Sequence, residues 1–126
     1  AFLSIPDGIQ AGEPIQLRSE DGTFLAYGYF GSYSQIAVRL WGFDESEKIN
    51  EEFFIHRIEK AYSLRKRFVE KPGTNAYRVI NGESDFLPGL IVDKYADYLI
   101  VQFHTRGIER WKKEIVSAVA HELGWE

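Results

Sequence analysis

The stretch from Asn50 to Pro72-Gly73 constrains this chain more than any other. Asn50 suits a helix N-cap, and Glu51 and Glu52 fall in the first turn, where the helix dipole favours negative charge. Ile49 and Phe54 are spaced to close a hydrophobic staple across that start. At 100° per residue Phe54, Ile58, Ala61, Tyr62 and Phe68 share one face, and Pro72-Gly73 predicts the end. A helix with one apolar face has to lay it on something, so the segments on either side must supply its partners.

The segment before the helix reads as β. Ile15–Arg18, Thr23–Phe30 and Gln35–Trp41 are rich in β-branched and aromatic residues, and turn signals at Asp21-Gly22 and Gly31-Ser32 separate them. Three strands leave open edges, so they read as part of a small barrel or sandwich. The segment after the helix reads as strand, loop, hairpin and helix. Ala76–Ile80 is the strand, broken by Asn81-Gly82, and Leu90–Lys94 and Leu99–Phe103 form a hairpin around Tyr95-Ala96-Asp97. Ile108, Trp111, Ile115, Ala118 and Val119 fall within about 100° of a helical wheel, with Gly124 placed as a C-cap.

Composition excludes several function classes. With no cysteine among 126 residues, disulfides, thiolate metal sites and cysteine nucleophiles are ruled out, which fits a reducing cytoplasm. Residues 1–15 have no basic start or long apolar run, so no signal peptide is read, and apolar runs such as Tyr98–Val101 are too short to span a bilayer. No membrane partner is expected. The absence of methionine, even at position 1, fits a chain processed or cut from something longer. Net charge is −4, yet residues 56–71 hold six basic and two acidic side chains, a basic island in an acidic molecule.

Most catalytic motifs fail on inspection. His121-Glu122 opens a zinc-protease pattern, but Trp125 occupies the second histidine position, and the three histidines lack ligand spacing, so no metal site is expected. Gly82-Glu83-Ser84-Asp85-Phe86 imitates a nucleophile elbow until Phe86 replaces the last glycine, and Pro88 is too close for a helix to begin there. Gly28-Tyr29-Phe30-Gly31 has the spacing of a GXXG nucleic-acid clamp, but lies among strands and reads as a turn. No glycine-rich nucleotide fingerprint follows any strand, so neither catalytic nor cofactor-binding residues are assigned.

Two features remain. Arg57, Lys60, Arg67 and Lys71 fall within about 80° on the wheel and form a stripe suited to an RNA phosphate backbone, with a solvated helix face as the competing reading. Arg65 instead projects from the apolar face, where an unpaired charge is costly. The loop Gly82–Gly89 offers Glu83 and Asp85 as partners, so Arg65 is expected to clip that loop to the helix. The two carboxylates as a catalytic acid–base pair have nothing nearby to divide their roles.

Gly82-Glu83-Ser84-Asp85-Phe86-Leu87-Pro88-Gly89-Leu90-Ile91-Val92-Asp93-Lys94-Tyr95 resembles the hallmark G-E-S-D-G-L-P-G-L-x-V-D-x-Y of a family of S-adenosylmethionine-dependent large-subunit rRNA methyltransferases that includes cytosine-C5 enzymes. Ser34–Trp41, Ile49-Asn50, Phe53-Phe54, Arg57-Ile58 and Ala61 support the likeness. Phe86 departs from the usual glycine, which bears on the backbone conformation of the loop. The resemblance implies an α+β chain: a partial PUA-like β-barrel (1–48), a connecting basic helix (49–71), and a small α/β domain with an antiparallel sheet (72–126). Within it Glu83, Ser84, Asp85, Pro88, Gly89 and Asp93 belong to a structural motif. It also implies an N-terminal fragment that holds large-subunit rRNA for a C-terminal Rossmann-like domain where S-adenosylmethionine binds, the fragment itself taking no cofactor. A homodimer is an open option among partners. The alternative is a free-standing RNA-binding or protein-interaction module.

Overall fold

The computed structural model describes residues 5–31 and 36–124. The expected turn at Gly31-Ser32 and the start of the third strand at Gln35 fall partly or wholly outside the described residues. Strands β1 (Pro14–Arg18), β2 (Phe24–Phe30) and β3 (Val38–Gly42) form one antiparallel meander, and β4 (Ala76–Asn81), β5 (Leu90–Tyr95) and β6 (Tyr98–Phe103) form a second. Helix α1 (Glu51–Phe68) joins them, and α2 (Arg106–Glu109) and α3 (Lys112–Glu122) follow. The architecture is mixed α and β, and the first sheet is open rather than a closed barrel.

Gly28 lies inside β2, so the Gly28–Gly31 segment is not the turn its glycines suggest. A Cβ on Gly28 would stand 2.4 Å from the Arg39 carbonyl oxygen. The glycine is there because β2 and β3 approach closely beside a register shift at Tyr27/Gly28.

One core serves both sheets. Tyr29 and Trp41 from the first sheet meet Phe53, Phe54, Ile58 and Ala61 from α1, and the same cluster includes Val79, Ile80, Leu90 and Val92 from the second sheet and Ile108, Ile115 and Val119 from the C-terminal helices. Its centre is aromatic: ring centroids are 5.0 Å apart for Tyr29–Trp41, 5.4 Å for Trp41–Phe54 and 5.0 Å for Phe54–Trp111. Such tilted and edge-on contacts add to area burial.

The helix starts as expected, with the Asn50 side chain accepting the Phe53 amide at 3.1 Å. It ends earlier than Pro72 would require. The amides of Val69 and Glu70 both donate to the Arg65 carbonyl at 2.8 Å, and Lys71 then opens a tight turn through Pro72 and Gly73 (φ 89°). The residue before a proline is pushed out of the helical region, so the chain leaves the helix before Lys71. Phe68 is 61% exposed, against the wheel's assignment to the apolar face. Phe68 lies in the last turn of α1, past Ala61, the last residue of the helix that the shared core fully buries. Phe53 is buried instead, because α1 is covered by the first sheet as well as by β4 and α3.

The C-terminal helix is broken in two at Arg110–Trp111. Trp111 packs on Phe54 while its amide turns back to the Ile108 carbonyl at 3.0 Å. Gly107, in α2, lies under the Tyr29 ring, where a Cβ would be 2.2 Å from a ring carbon. Tyr29 also hydrogen-bonds Thr105 at 2.7 Å, so this one ring locks the first sheet onto the C-terminal segment. Gly107→Ala is therefore expected to destabilise the fold by about 2–3 kcal/mol through overpacking, read as a lower urea midpoint.

Candidate nucleic-acid interface

The expected loop after β4 contains a 3-10 turn, Gly82–Asp85, despite Pro88. Four residues suffice for such a turn, and it closes well before the proline restricts the backbone. The turn delivers Asp85 to α1. Arg65 Nη1 donates to Asp85 Oδ1 at 2.6 Å and Nη2 to Oδ2 at 2.8 Å, while the Asn81 amide donates to the same Oδ2 at 2.6 Å. The Asp85 side chain is 4% exposed and that of Arg65 18%. Glu83 turns the other way and pairs with Arg39 of β3.

The rest of the motif shapes the same loop. Pro88 is buried, and Gly89 (φ 86°) completes a tight turn in which the Leu90 amide donates to the Leu87 carbonyl at 3.0 Å. A Cβ on Gly89 would lie 2.3 Å from Thr105 Oγ1. Asp93, on β5, accepts two bonds from Arg78 at 2.8 and 3.3 Å. Phe86, where the hallmark has glycine, adopts the left-handed region at φ 58°, ψ 30°. Its ring is 59% exposed.

The four residues of the basic stripe do not share one environment. Arg57 is drawn inward: its guanidinium donates to the Phe86 carbonyl at 2.6 Å, lies 4.1 Å from the centroid of Phe53 and reaches Glu47 at 3.8 Å. Burial pushes its pKa down, with the Glu47 charge opposing. Lys60 and Arg67 stand exposed on α1, and Lys71 is exposed in the turn beyond it. None of these three makes an ion pair among the described residues.

Between β3, α1 and the 3-10 turn runs a cleft of about 380 Å³. Phe43 (69% exposed) and Phe86 line it, with Trp41 on its wall, Arg57 and Lys60 supplying positive charge and Ser84 a hydroxyl. Sequence reading found Arg57, Lys60 and Ser84 but not the aromatic walls. The only signal for Phe43 is an aromatic just past a strand end beside Gly42. Among the described residues no group of three or more acidic or histidine side chains is placed to hold a metal. Among the described residues no helix is long and apolar enough to cross a membrane.

A family model for a PUA-like domain matches residues 1–43. Ribosomal RNA large subunit methyltransferase I from Vibrio cholerae is 44% identical over 110 residues, and its counterpart from Shewanella denitrificans is 40% identical over 111. The chain is homologous to this methyltransferase. The aligned part takes in 87–88% of the chain but only 28% of either relative's length. Among solved structures, a chain from Streptococcus mutans described as a SAM-dependent methyltransferase superposes with a TM-score of 0.81 at 23% identity, over 91% of this chain and 30% of its own length. A second, described as a methyltransferase complexed with SAH, gives 0.81 at 22% identity, over 93% and 34%. At that identity these two speak for the fold alone.

The described residues do not fit S-adenosylmethionine. Both sheets are antiparallel, and the one strand running straight into a helical turn, β4, meets a four-residue 3-10 turn bearing Glu83 and Asp85. Two carboxylates there occupy the place where such cofactor sites keep a glycine-rich helix N-terminus.

The Arg65–Asp85 pair has a measurable consequence. Arg65→Ala strands a buried carboxylate and is expected to cost roughly 3 kcal/mol. Lys66→Ala, at an exposed neighbouring position, should cost under about 0.5 kcal/mol. Urea denaturation of both variants checks the contrast.

Proposed function

We propose that this chain is the RNA-binding, substrate-positioning part of an S-adenosylmethionine-dependent large-subunit rRNA methyltransferase of the cytosine-C5 type, working in the cytoplasm. In this reading residues 1–48 form the PUA-like unit, 49–71 the basic connector and 72–126 a small α/β unit. Methyl transfer and the methyl donor belong to a further Rossmann-like domain of the whole enzyme. The observation that carries the proposal is the exposed basic surface of Lys60 and Arg67 on α1 and Lys71 just beyond it, the helix being tied to the Gly82–Gly89 loop through Arg57 and Arg65. A chain of net charge −4 has no general attraction for polyanions, so affinity has to come from such a local patch.

Arg57 plays a different part from the other three. Its guanidinium is held by the Phe86 carbonyl and Glu47, so it supports the surface rather than contacting phosphates. Three phosphate contacts to single-stranded RNA give an expected log–log salt slope of about −2. Neutralising Arg67 and Lys71 to Gln should reduce it to about −0.7. Fluorescence anisotropy across a salt series tests this, and identical binding by parent and variant at every salt would show a merely solvated face. Calorimetric titration of the same chain with S-adenosylmethionine is expected to reveal no one-to-one site of micromolar affinity.

A further inference from the structure

The cleft between β3, α1 and the Gly82–Asp85 turn exposes two aromatic rings without using either in the core. Phe43 is 69% and Phe86 59% exposed, while Trp41 behind them is buried. Phe86 is also held in a backbone region that a bulky side chain rarely adopts. Strain of this kind persists only where the surroundings over-determine it, and it concentrates at binding sites. Here the surroundings are explicit. The Phe86 amide donates to the Glu83 carbonyl at 3.0 Å, and its carbonyl accepts Arg57 at 2.6 Å. The ring is thus presented to solvent by a fixed backbone.

The cleft is polar where a base edge needs partners. Ser84 is exposed with no hydrogen-bond partner for its side chain among the described residues, and the Glu47 carboxylate lies on the same lining. Asp85 is already paired with Arg65 and Glu47 lies against Arg57, so Lys60 leaves the mouth positive. Its volume, about 380 Å³, falls at the small end of the roughly 300–1,000 Å³ of small-ligand pockets. Flat exposed rings beside cations are how proteins hold splayed-out bases of single-stranded RNA.

We propose that this cleft takes one unstacked base of single-stranded RNA, with Phe86 and Phe43 as stacking surfaces and Lys60 at the adjoining phosphate. The inference rests on the RNA-binding reading above and adds a base-holding subsite to its phosphate-contacting surface. It also separates two functions along α1: Lys60 is shared with the cleft, while Arg67 and Lys71 lie outside it.

The test is anisotropy of the 126-residue chain with a labelled single-stranded RNA of about ten nucleotides, the same backbone with abasic sites, and a duplex, since base stacking acts only on the first. Phe86→Gly removes the ring at a position whose conformation suits glycine, so the fold is expected to hold, and Phe43→Ala provides an independent variant. Each should weaken binding of the single strand about 10-fold, leave its salt slope unchanged, and leave the abasic and duplex ligands bound as by the parent. If both variants bind the single strand as the parent does while Arg67→Gln with Lys71→Gln lowers the slope, the subsite is overturned and the RNA-binding reading stands. If the parent binds no RNA in a salt-dependent way, both fall. Equal affinity for a free mononucleotide and the oligonucleotide would also overturn the subsite in its proposed form, because the phosphate contacts would then contribute nothing.

Discussion

A guanidinium that emerges among Phe54, Ile58 and Ala61 must be answered within its own side-chain reach. Arg65 is answered by Asp85, and much of the local structure follows from that pairing. Asp85 reaches α1 because the chain after β4 coils into a single 3-10 turn, and its second oxygen satisfies the Asn81 amide at the start of that turn. Closing the turn forces Phe86 into the left-handed region and aims its carbonyl at Arg57, whose guanidinium then lies over Phe53. A charge is thereby linked through hydrogen bonds and a cation–π contact to the aromatic core. Such a pair adds little net stability compared with well-packed apolar residues, since desolvation offsets most of its attraction. What it supplies is register: only one placement of the loop on the helix satisfies both nitrogens and the Asn81 amide.

The order of elements was legible because it depends on local signals. Asn50, the turn dipeptides and the alternation of apolar residues each act over a few positions, and every strand and the start of α1 appear close to where they point. What was not legible depends on distant neighbours. Gly28 looks like turn chemistry in isolation, and only the Arg39 carbonyl, eleven residues on, shows that it marks a close strand approach. Phe53 and Phe68 exchanged the burial that the wheel assigns them, because the buried arc of α1 is set by which elements cover it. The break at Trp111 likewise follows from a contact with Phe54 on another helix.

The site divides along the same line. The partner of Arg65 could be sought from sequence, since a charge on an apolar face demands a carboxylate and the Gly82–Gly89 loop holds two. Arg57 could not be read that way, because its partner is a backbone carbonyl 29 residues distant, which carries no side-chain signature. The cleft was out of reach for a further reason. Phe43, Lys60 and Phe86 belong to three separate segments, and their juxtaposition exists only after the first sheet, α1 and the 3-10 turn have docked.

An acidic chain with a basic connector raises the question of whether its own carboxylates cancel the patch. At physiological salt a charge is screened beyond about 8 Å. Glu51 and Glu52 stand roughly 22 Å along the helix axis from Arg67, nearly three screening lengths away. Two acids stand nearer, exposed Glu59 and Glu70, and they lower the field of the patch without cancelling it, since residues 56–71 hold six basic side chains against these two. Glu70 accepts the Tyr77 hydroxyl at 2.6 Å, and burial together with this contact drives the Tyr77 pKa upward. Glu47 faces Arg57 and Asp85 faces Arg65, so the two acids that line the cleft are matched within the fold. The overall net charge therefore governs solubility and long-range repulsion, while a polyanion arriving at α1 meets Lys60, Arg67 and Lys71 at short range. The same geometry makes the surface inherently salt-sensitive, since it works only inside the distance over which salt leaves a charge visible.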